Sequence, residues 1–384
     1  MIQSTENESV SENASVAACF RLFSMHHPSQ ITPNAFRTSA RERLTEYVAR
    51  LGGDAEQVLA LTPDASTREY FRIPFKKRKA IAAVYPEPFD AEIHPFLDVT
   101  RLFAEARLPV PEILEVDPLD GIIVQEDFGD RQLRRAFESA SDDEREAYLE
   151  QAISLIADVQ AATPLASERD SIASRLAFDE AKLSWELEYF LEHYFVSLRG
   201  ERLKHGEEAQ LRAELNDVSA ELAARPRTLC HRDFHPSNLM VDAAGRLRII
   251  DYQDARMGPA SYDLVSLLLD RRTTLPSLAE VRERRLFFLE ERRSRDLENI
   301  DPDEFAYEFR LMAVQRCLKA VGTFSYQTAA LGRGETYAQF INPMLKIVAQ
   351  AAEWLDRFPL LRATLRARFD EPAQTERMGG VTDS

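Results

Sequence analysis

The spacing of apolar residues divides the chain into two parts with different secondary structure. Short runs rich in β-branched and aromatic residues occur at 70–73, 81–85 and 121–125, and such runs predict strands. From about residue 141 onward, apolar residues recur every three or four positions, most clearly over 148–159 and 211–222. This spacing predicts amphipathic helices. The pattern therefore indicates an α+β protein.

Composition sets both ends of the chain apart from its middle. Residues 1–35 are rich in Ser, Asn, Glu and Gln, and residues 370–384 are similar. Such segments bury too little apolar surface to fold alone, so we expect two mobile tails. Between them the pattern predicts two lobes, a small one at 36–127 with an antiparallel sheet and a larger, mostly helical one at 128–369.

One hairpin interrupts the helical part. Apolar runs at 239–241 and 247–250 flank a turn that contains glycine, which predicts a pair of strands. If residues 244–245 form a two-residue loop, Asn238 falls opposite Asp251 at the open end of the hairpin. A longer loop would shift this register.

Charge and hydropathy exclude several classes of protein. The 384 residues include 48 Lys and Arg against 64 Asp and Glu, which gives a formal net charge of −16. This balance argues against a protein that wraps nucleic acid, because such affinity comes mainly from clustered cations. The apolar run at 80–85 is a fraction of the roughly 20 residues needed to cross a bilayer. We therefore expect no nucleic-acid partner and no membrane association.

The three cysteines point to a reducing compartment. Cys19, Cys230 and Cys317 lie far apart and form neither a CxxC pair nor an even disulfide framework. No basic, apolar leader precedes them. We expect a cytoplasmic protein whose cysteines are small buried apolar residues.

The densest polar cluster in an apolar context lies at 229–238, and a second polar stretch, 251–254, follows the hairpin. Carboxylate and amide oxygens are the ligands that Mg²⁺ prefers. In phosphoryl transfer, one Asp orients the attacking hydroxyl while an Asn and a second Asp hold Mg²⁺ against the nucleotide phosphates. Asp233, Asn238 and Asp251 fit these roles in that order.

Two other interpretations remain open for this cluster. His231, Asp233 and His235 have the donor types of a zinc site, but that site gives Asn238 and Asp251 no role. Alternatively, the Asp and Asn side chains cap turns, where both residue types are common.

Two motifs make the phosphoryl-transfer interpretation specific. The segment His-Arg-Asp-Phe-His-Pro-Ser-Asn at 231–238, followed by Ile-Asp-Tyr-Gln-Asp-Ala at 250–255, resembles the catalytic and metal motifs of the aminoglycoside phosphotransferase (APH) family. The stretches 258–268 and 314–322 are similar to its branch of N-acetylmuramate/N-acetylglucosamine anomeric kinases, which serve peptidoglycan recycling. The resemblance runs from about residue 36 to 355 and implies a two-lobed protein-kinase-like fold.

The resemblance also implies roles for individual residues. It makes Asp233 the catalytic base, Asn238 and Asp251 the Mg²⁺ ligands, and His231 a brace for the catalytic loop. Asp263 resembles the residue that anchors this loop from the next helix. The implied cofactors are ATP and Mg²⁺.

Contacts to the nucleotide are implied for the N-terminal lobe. Small residues at 64–67 would let backbone N–H groups approach phosphate closely, and 125–128 would be the hinge that meets adenine. The residues assigned to nucleotide binding are Ser66, Thr67, Arg68, Gln125, Glu126 and Phe128.

One feature of kinase-like folds is missing from the sequence. A strand Lys usually contacts the α- and β-phosphates, but the strand at 81–85 contains none. Among nearby cations, Arg68 and Arg72 are candidates to replace it. Lys77 and Lys79 are further candidates, although a run of charges of this kind is more often a solvated turn.

Several residues of the second lobe are candidates for the acceptor site. Glu186 and Tyr189 lie on one amphipathic helix that could offer a sugar an aromatic face and a hydrogen-bonding group, although such a stripe is usually core. Arg316 and Lys319 could face an anionic substituent such as a lactyl carboxylate, or form an ordinary ion-paired surface. Asp254 would help to bind substrate or cap the loop.

Together these observations predict an ATP-dependent kinase that phosphorylates a hydroxyl of an amino sugar. The first candidate is the anomeric hydroxyl of N-acetylglucosamine or N-acetylmuramate. An aminoglycoside, choline or homoserine is an alternative acceptor. A nucleotide-binding regulator without catalysis is a further alternative, motivated by the missing strand Lys. We expect a monomer or a homodimer.

Overall fold

The computed structural model describes residues 38–61 and 68–369. Both expected tails, 1–35 and 370–384, lie outside the described residues. Residues 36–37 of the expected first lobe also lie outside them, as do Cys19, Ser66 and Thr67.

The contacts among residues divide the chain into two compact units. Among the described residues, the first unit contains those up to Asp90 together with Ile113–Asp127, and the second contains Ala91–Glu112 and those from Phe128 to 369. The segment Ala91–Glu112, expected in the first lobe, therefore shares its contacts with the second unit.

The first unit is built on an antiparallel sheet of five strands. Its helix α1 (Ala40–Arg50) begins with a capping box, in which Ser39 and Glu42 satisfy each other's backbone N–H groups. The strand order across the sheet is β1-β2-β3-β5-β4. In chain order the strands are β1 (Leu59–Ala60), β2 (Glu69–Phe75), β3 (Arg78–Val84), β4 (Ile113–Asp117) and β5 (Ile122–Glu126).

Buried and partly exposed residues alternate along β2, so one face of the sheet is covered. Phe71, Ile73 and Phe75 are buried, whereas the residues between them are partly exposed. The buried set forms one hydrophobic cluster with Leu44 and Tyr47 of α1. Because burying each large apolar side chain contributes about 1.5–3 kcal/mol, this cluster fixes α1 on the sheet.

The second unit is mostly helical. Its longest helix, of 28 residues, spans about 42 Å at 1.5 Å per residue and is buried along most of its length, so it serves as the scaffold of the unit. A π-helical segment, Leu191–Leu198, continues directly from the helix Glu180–Phe190. The helices are α2 (Pro95–Glu105), α3 (Leu133–Ser139), α4 (Asp142–Ala161), α5 (Thr163–Glu168), α6 (Ile172–Arg175), α7 (Glu180–Phe190), α8 (His205–Ala223), α9 (Tyr262–Leu269), α10 (Leu278–Arg293), α11 (Pro302–Ala329), α12 (Gly334–Tyr337), α13 (Ile341–Trp354) and α14 (Pro359–Arg366).

Two short antiparallel pairs lie within this helical unit. Strand β6 (Arg227–Cys230) precedes the hairpin formed by β7 (Leu239–Val241) and β8 (Leu247–Ile249), and β9 (Arg256–Pro259) returns to pair with β6. The loop after β6 and the open end of the β7–β8 hairpin hold the polar residues singled out in the sequence.

The register of the β7–β8 hairpin differs from the predicted one. Leu239 pairs with Ile249, and the Ile250 N–H donates to the Asn238 carbonyl at 3.1 Å. Asn238 therefore lies opposite Ile250, and the predicted pairing with Asp251 was wrong by one residue.

The cause of this shift is the hairpin loop, which spans 243–245 instead of the two residues expected. The Asp242 carboxylate accepts hydrogen bonds from the N–H groups of Ala244 (2.9 Å) and Arg246 (3.0 Å). Gly245 adopts a φ of +76°, which a residue without a side chain tolerates best. An Asp at this position therefore favours the longer loop.

The predicted burial of the described cysteines is confirmed, since Cys230 and Cys317 are both free and buried. Within 38–61 and 68–369, no helix combines the length and the apolar character needed to span a membrane.

Helix α11 packs closely against the backbone of α7 at Gly322. A methyl group added there would lie 2.8 Å from the Cα and 2.9 Å from the N of Phe190, which are backbone atoms that cannot rotate away. The two helices can pack this closely only because residue 322 has no side chain.

We predict that Gly322→Ala lowers the free energy of unfolding by about 2 kcal/mol, because overpacking forces the two helices apart. Chemical denaturation would measure the change. Gly206→Ala is the matched control, because Gly206 is also helical and has no atom within 4 Å of an added methyl group. An equal effect of both substitutions would contradict the close-packing argument.

Candidate active site

The loop that follows β6 is held by one carboxylate. Asp263, in the first turn of α9, accepts hydrogen bonds from the backbone N–H groups of His231 (2.7 Å) and Arg232 (3.0 Å). Arg232 has a φ of +85°, so the chain turns there through the left-handed region. Burial raises the pKa of Asp263 to about 6, although His231 and the two N–H groups oppose this. Asp263 thus ties the start of the loop to α9.

The His231 side chain ties the same loop to the hairpin. Its Nε2 donates to the carbonyl oxygen of Ile250 at 3.0 Å, and the ring is fully buried. In the described part of the chain, no three His, Cys, Asp or Glu side chains converge as metal ligands. The geometry therefore gives no support to a zinc site at His231, Asp233 and His235.

Asn238 and Asp251 meet at the open end of the hairpin despite the shifted register. The Asn238 amide nitrogen donates to the Asp251 carboxylate at 3.3 Å and to the backbone carbonyl of Asp233 at 3.0 Å. Asp251 adopts a φ of +63°, which turns the chain at the residue after Ile250. Gln253 donates to the second Asp251 oxygen at 2.9 Å.

These two side chains fit a magnesium site by their donor atoms. Both hydrogen bonds of the Asn238 amide use its nitrogen, and no described residue donates to its oxygen. An amide oxygen next to a carboxylate forms the hard, all-oxygen ligand set that Mg²⁺ prefers.

Asp233 lies among three cations from two segments, helix α11 and the loop after β6. Its Oδ1 is 3.3 Å from Arg316 and 3.5 Å from Lys319, both on α11, and its Oδ2 is 3.8 Å from Arg232. Burial alone would raise the pKa of Asp233, but Lys319, Arg232 and Arg316 together hold it well below its usual range. The side chain remains 26 % exposed, so a ligand can reach this ionised carboxylate.

Arg316 supports Asp233 and is not open to a ligand. Its guanidinium donates to Asp270 at 3.0 Å and to the Ser266 hydroxyl at 3.1 Å, and its side chain is only 3 % exposed. Of the two cations expected to face an anionic substituent, Arg316 is therefore already engaged by the protein. We infer that it positions Asp233.

Glu186 is almost completely buried on α7. It accepts a hydrogen bond from Gln315 at 2.9 Å and lies 3.6 Å from the ammonium group of Lys182. Burial would raise the pKa of Glu186, but Lys319 and Lys182 bring it below its usual value. A buried, ionised carboxylate therefore lies next to the cations of the Asp233 site.

Tyr189 and Asp254 have different surroundings. The Tyr189 ring is half-buried against His193, with centroids 4.0 Å apart, and also packs near Trp185 and Tyr326. Asp254 is about half exposed and forms an ion pair with Arg232 at 2.7 Å. The structure thus places Asp254 beside the loop that follows β6 and Tyr189 in an aromatic cluster.

The residues with implied nucleotide contacts are distributed over both units. Gln125 and Glu126 end β5, and the side-chain oxygen of Gln125 is buried and accepts no hydrogen bond from a described residue. Phe128 begins the second unit, where the Arg248 guanidinium lies 4.4 Å from its ring centroid. Arg68 lies over the Tyr85 ring in the first unit.

The four candidates for the missing strand Lys have different environments. Arg72 forms a two-bond pair with Asp127, with distances of 2.6 and 3.0 Å. Arg68 donates to the Tyr85 hydroxyl at 3.4 Å. Lys77 and Lys79 are exposed.

Several residues of this site were not expected from the sequence, notably Lys182, Asp270 and Gln315. Lys182 lies one helical turn before Glu186, a spacing typical of ion pairs, and could have been found that way. Asp270 and Gln315 have no such signal, because their partners lie 46 and 129 residues away along the chain.

Comparison with known proteins identifies the family. The model of the APH family, described as the phosphotransferase enzyme family, matches residues 57–297, which is more than half of the chain. The chain belongs to this family. It is therefore a phosphotransferase that acts on a hydroxyl acceptor, as the motifs predicted.

Curated relatives agree with the branch that the sequence resembles. An N-acetylmuramate/N-acetylglucosamine kinase from Neisseria meningitidis serogroup B is 28 % identical over 308 residues, covering 78 % of this chain and 87 % of the relative. A kinase of the same name from Pseudomonas aeruginosa is 27 % identical over 270 residues, covering 70 % and 76 %.

Solved structures confirm the expected protein-kinase-like fold. The microcompartment-associated aminopropanol kinase superposes with a TM-score of 0.55 at 17 % identity, covering 82 % of this chain and 97 % of its own. Choline kinase LicA from Streptococcus pneumoniae gives 0.52 at 15 % identity, covering 82 % and 98 %.

We predict that Asp263→Asn lowers kcat about 100-fold, because misplacing catalytic groups by about 1 Å costs this much. The amide offers one accepting oxygen for two N–H donors, so the free energy of unfolding should also fall by about 1–3 kcal/mol. Steady-state kinetics and denaturation would measure both effects. Asp217→Asn, at an exposed position of α8, is the control. Unchanged kcat in Asp263→Asn would show that the anchor is dispensable.

Proposed function

We propose that this protein is an ATP- and Mg²⁺-dependent kinase for an N-acetylated amino sugar, acting on the anomeric hydroxyl of N-acetylglucosamine or N-acetylmuramate. The observation that carries the proposal is the arrangement of Asp233, Asn238 and Asp251 on one braced loop and hairpin. The names of the curated relatives support the choice of sugar. A cytoplasmic role in recycling cell-wall sugars follows from the same proposal.

Asp233 would orient the acceptor hydroxyl and accept its proton. Its low pKa keeps the carboxylate ionised at neutral pH. Phosphoryl transfer passes through a loose transition state, so positioning contributes more than the strength of the base. An ionised Asp233, held by Arg316 and Arg232, suits this task.

Asn238 and Asp251 would hold the metal ion through their side-chain oxygens. Bound Mg²⁺ neutralises charge on the nucleotide phosphates during transfer. The hydrogen bond from Asn238 to the Asp233 carbonyl links the metal-binding side chain to the loop that carries the base. The metal ligands and the base therefore keep a fixed separation.

The charges around Asp233 disfavour the two cationic alternatives, an aminoglycoside and choline. Aminoglycosides and choline are cations, whereas Lys182, Arg232, Arg316 and Lys319 all lie close to the site. A cationic acceptor would be repelled by this cluster. The alternative of a silent regulator is disfavoured by the intact set of oxygen ligands next to an ionised Asp233.

We predict that Asp233→Asn lowers kcat for N-acetylated sugars roughly 10²–10⁴-fold, the usual contribution of a proton-transfer group. ADP release with a panel of sugars would measure this, and ³¹P NMR of the product would distinguish an anomeric phosphate from a 6-phosphate. Asp303→Asn, at an exposed position of α11, is the control. Near-wild-type turnover by Asp233→Asn, or turnover of none of the sugars by the wild type, would refute the proposal.

We predict that Asn238→Ala raises the Mg²⁺ concentration needed for half-maximal rate by about tenfold or more, because the loss of one oxygen ligand weakens the site. Titration of the rate with Mg²⁺ at saturating sugar would measure it. Ser237→Ala, at the neighbouring buried position, controls for disturbance of the loop. Identical Mg²⁺ dependence in both variants would argue against a metal ligand at position 238.

A further inference from the structure

Lys182 on α7 has surroundings that the proposed chemistry does not use. Its side chain is 21 % exposed, and its ammonium nitrogen lies 4.0 Å from the Trp185 ring centroid and 3.6 Å from Glu186 Oε1. This ammonium group makes no hydrogen bond to any residue within 38–61 or 68–369. An ammonium group has three donors, so this one can bind an additional acceptor.

The neighbouring cations are engaged by carboxylates of the protein. Arg316 donates to Asp270, and Lys319 lies 3.5 Å from Asp233. Arg232 pairs with Asp254 at 2.7 Å, and Arg256 also lies beside Asp254. Among these five cations, all in the described part of the second unit, Lys182 is the one whose side-chain nitrogen has no oxygen of a described residue within 3.5 Å, since Glu186 lies at 3.6 Å.

The electrostatic field at Lys182 favours an anion. Arg232, Arg256 and Lys319 repel its positive charge, and Glu186 attracts it. Burial, followed by these cations, lowers the pKa of Lys182 to about 8. A second carboxylate at this position would relieve the repulsion among the cations.

Unsatisfied polar atoms nearby indicate a hydroxylated ligand. Glu186 Oε1, Gln315 Oε1 and the Tyr262 hydroxyl are buried and have no hydrogen-bond partner among the described residues. Buried polar atoms are normally satisfied by protein, water or ligand. Sugar hydroxyls can donate to the two oxygens and exchange a hydrogen bond with Tyr262.

This polar group is connected to Asp233. Lys319 and Arg232 act electrostatically on both Lys182 and Asp233, and Glu186 is held by Gln315, which immediately precedes Arg316 on α11. The reacting hydroxyl and a carboxylate on the same sugar could therefore contact Asp233 and Lys182 respectively.

We propose that Lys182 binds the carboxylate of an acidic amino sugar, so that the enzyme prefers a carboxyalkyl-substituted sugar such as N-acetylmuramate over its neutral counterpart. This inference rests on the proposed function. In this assignment the cation that faces the anionic substituent is Lys182, and not Arg316 or Lys319, which are engaged by Asp270 and Asp233.

The test compares N-acetylmuramate with N-acetylglucosamine as acceptors of the full-length protein. Lys182→Met should raise KM for N-acetylmuramate roughly 10- to 100-fold, as expected for loss of a charge-assisted hydrogen bond. KM for N-acetylglucosamine should change less than about twofold, since that sugar has no carboxylate to lose. Lys182→Arg should restore most of the preference, and Lys204→Met, at an exposed position, should have no effect.

A measurement on the wild type avoids any doubt about folding of the variant. Since kcat/KM reports groups of the free enzyme, the ratio of kcat/KM for N-acetylmuramate to that for N-acetylglucosamine should fall as pH rises through about 8, where Lys182 loses its proton. Groups that affect both sugars equally cancel in this ratio. Glu186, Arg232, Arg256 and Lys319 face Lys182. Of these, Glu186, Arg256 and Lys319 also have pKa values below their usual ones, so the fall must disappear in Lys182→Arg if it belongs to Lys182.

The outcomes separate the two proposals. Parallel changes in KM for both sugars, or a ratio that is independent of pH, would overturn the role of Lys182 while leaving the kinase activity intact. If the wild type phosphorylates neither sugar, the proposed function fails. Calorimetry without ATP would then still decide the role of Lys182, which is refuted if wild type and Lys182→Met bind N-acetylmuramate equally.

Discussion

Two consecutive backbone N–H groups that donate to Asp263 determine where the rest of the active site lies. From this anchor the chain is tied again at His231, whose ring reaches the Ile250 carbonyl, and at Asn238, whose amide returns to the Asp233 carbonyl. An unsatisfied buried N–H costs about 1–3 kcal/mol. The loop therefore cannot shift without losing several bonds at once, and Asp233 is carried on a rigid support.

The charge on the whole chain gives a misleading picture of the site. The protein is strongly acidic, with a net charge of −16, yet Asp233 is surrounded by Arg232, Arg316 and Lys319. Fields at a site depend on the nearest charges, because distant surface charges are screened over about 8–10 Å. The electrostatic potential at this site is therefore set by the local charged groups and not by the total charge of the chain.

Much of the architecture could be predicted from the sequence because it depends on local patterns. The helical spacing at 148–159 lies within α4, and the strand-like run at 81–85 overlaps β3. The hairpin register could not be predicted, because one side chain, Asp242, caps the loop and makes it a residue longer. Yet Asn238 and Asp251 still meet, since the left-handed turn at Asp251 brings its carboxylate to the amide.

The same limit applies to the direction of side chains. Helical spacing grouped Arg316 with Lys319, but only the folded chain shows that Asp270 and Ser266 hold Arg316. These contacts join residues about fifty positions apart, so no local pattern contains them. The boundaries of the lobes and the roles of individual site residues also depend on contacts between distant parts of the chain. They therefore stay predictions.

The contacts of Asp233 have a consequence for the fate of ATP when no sugar is bound. One oxygen of this carboxylate is shared by Arg316 and Lys319, which withdraw electron density from it. A lone water molecule has no remote groups whose binding could offset this competition, whereas a sugar gains such contacts elsewhere. In the proposed mechanism, a carboxylate held in this way would disfavour hydrolysis of ATP and keep the phosphoryl group for the acceptor hydroxyl.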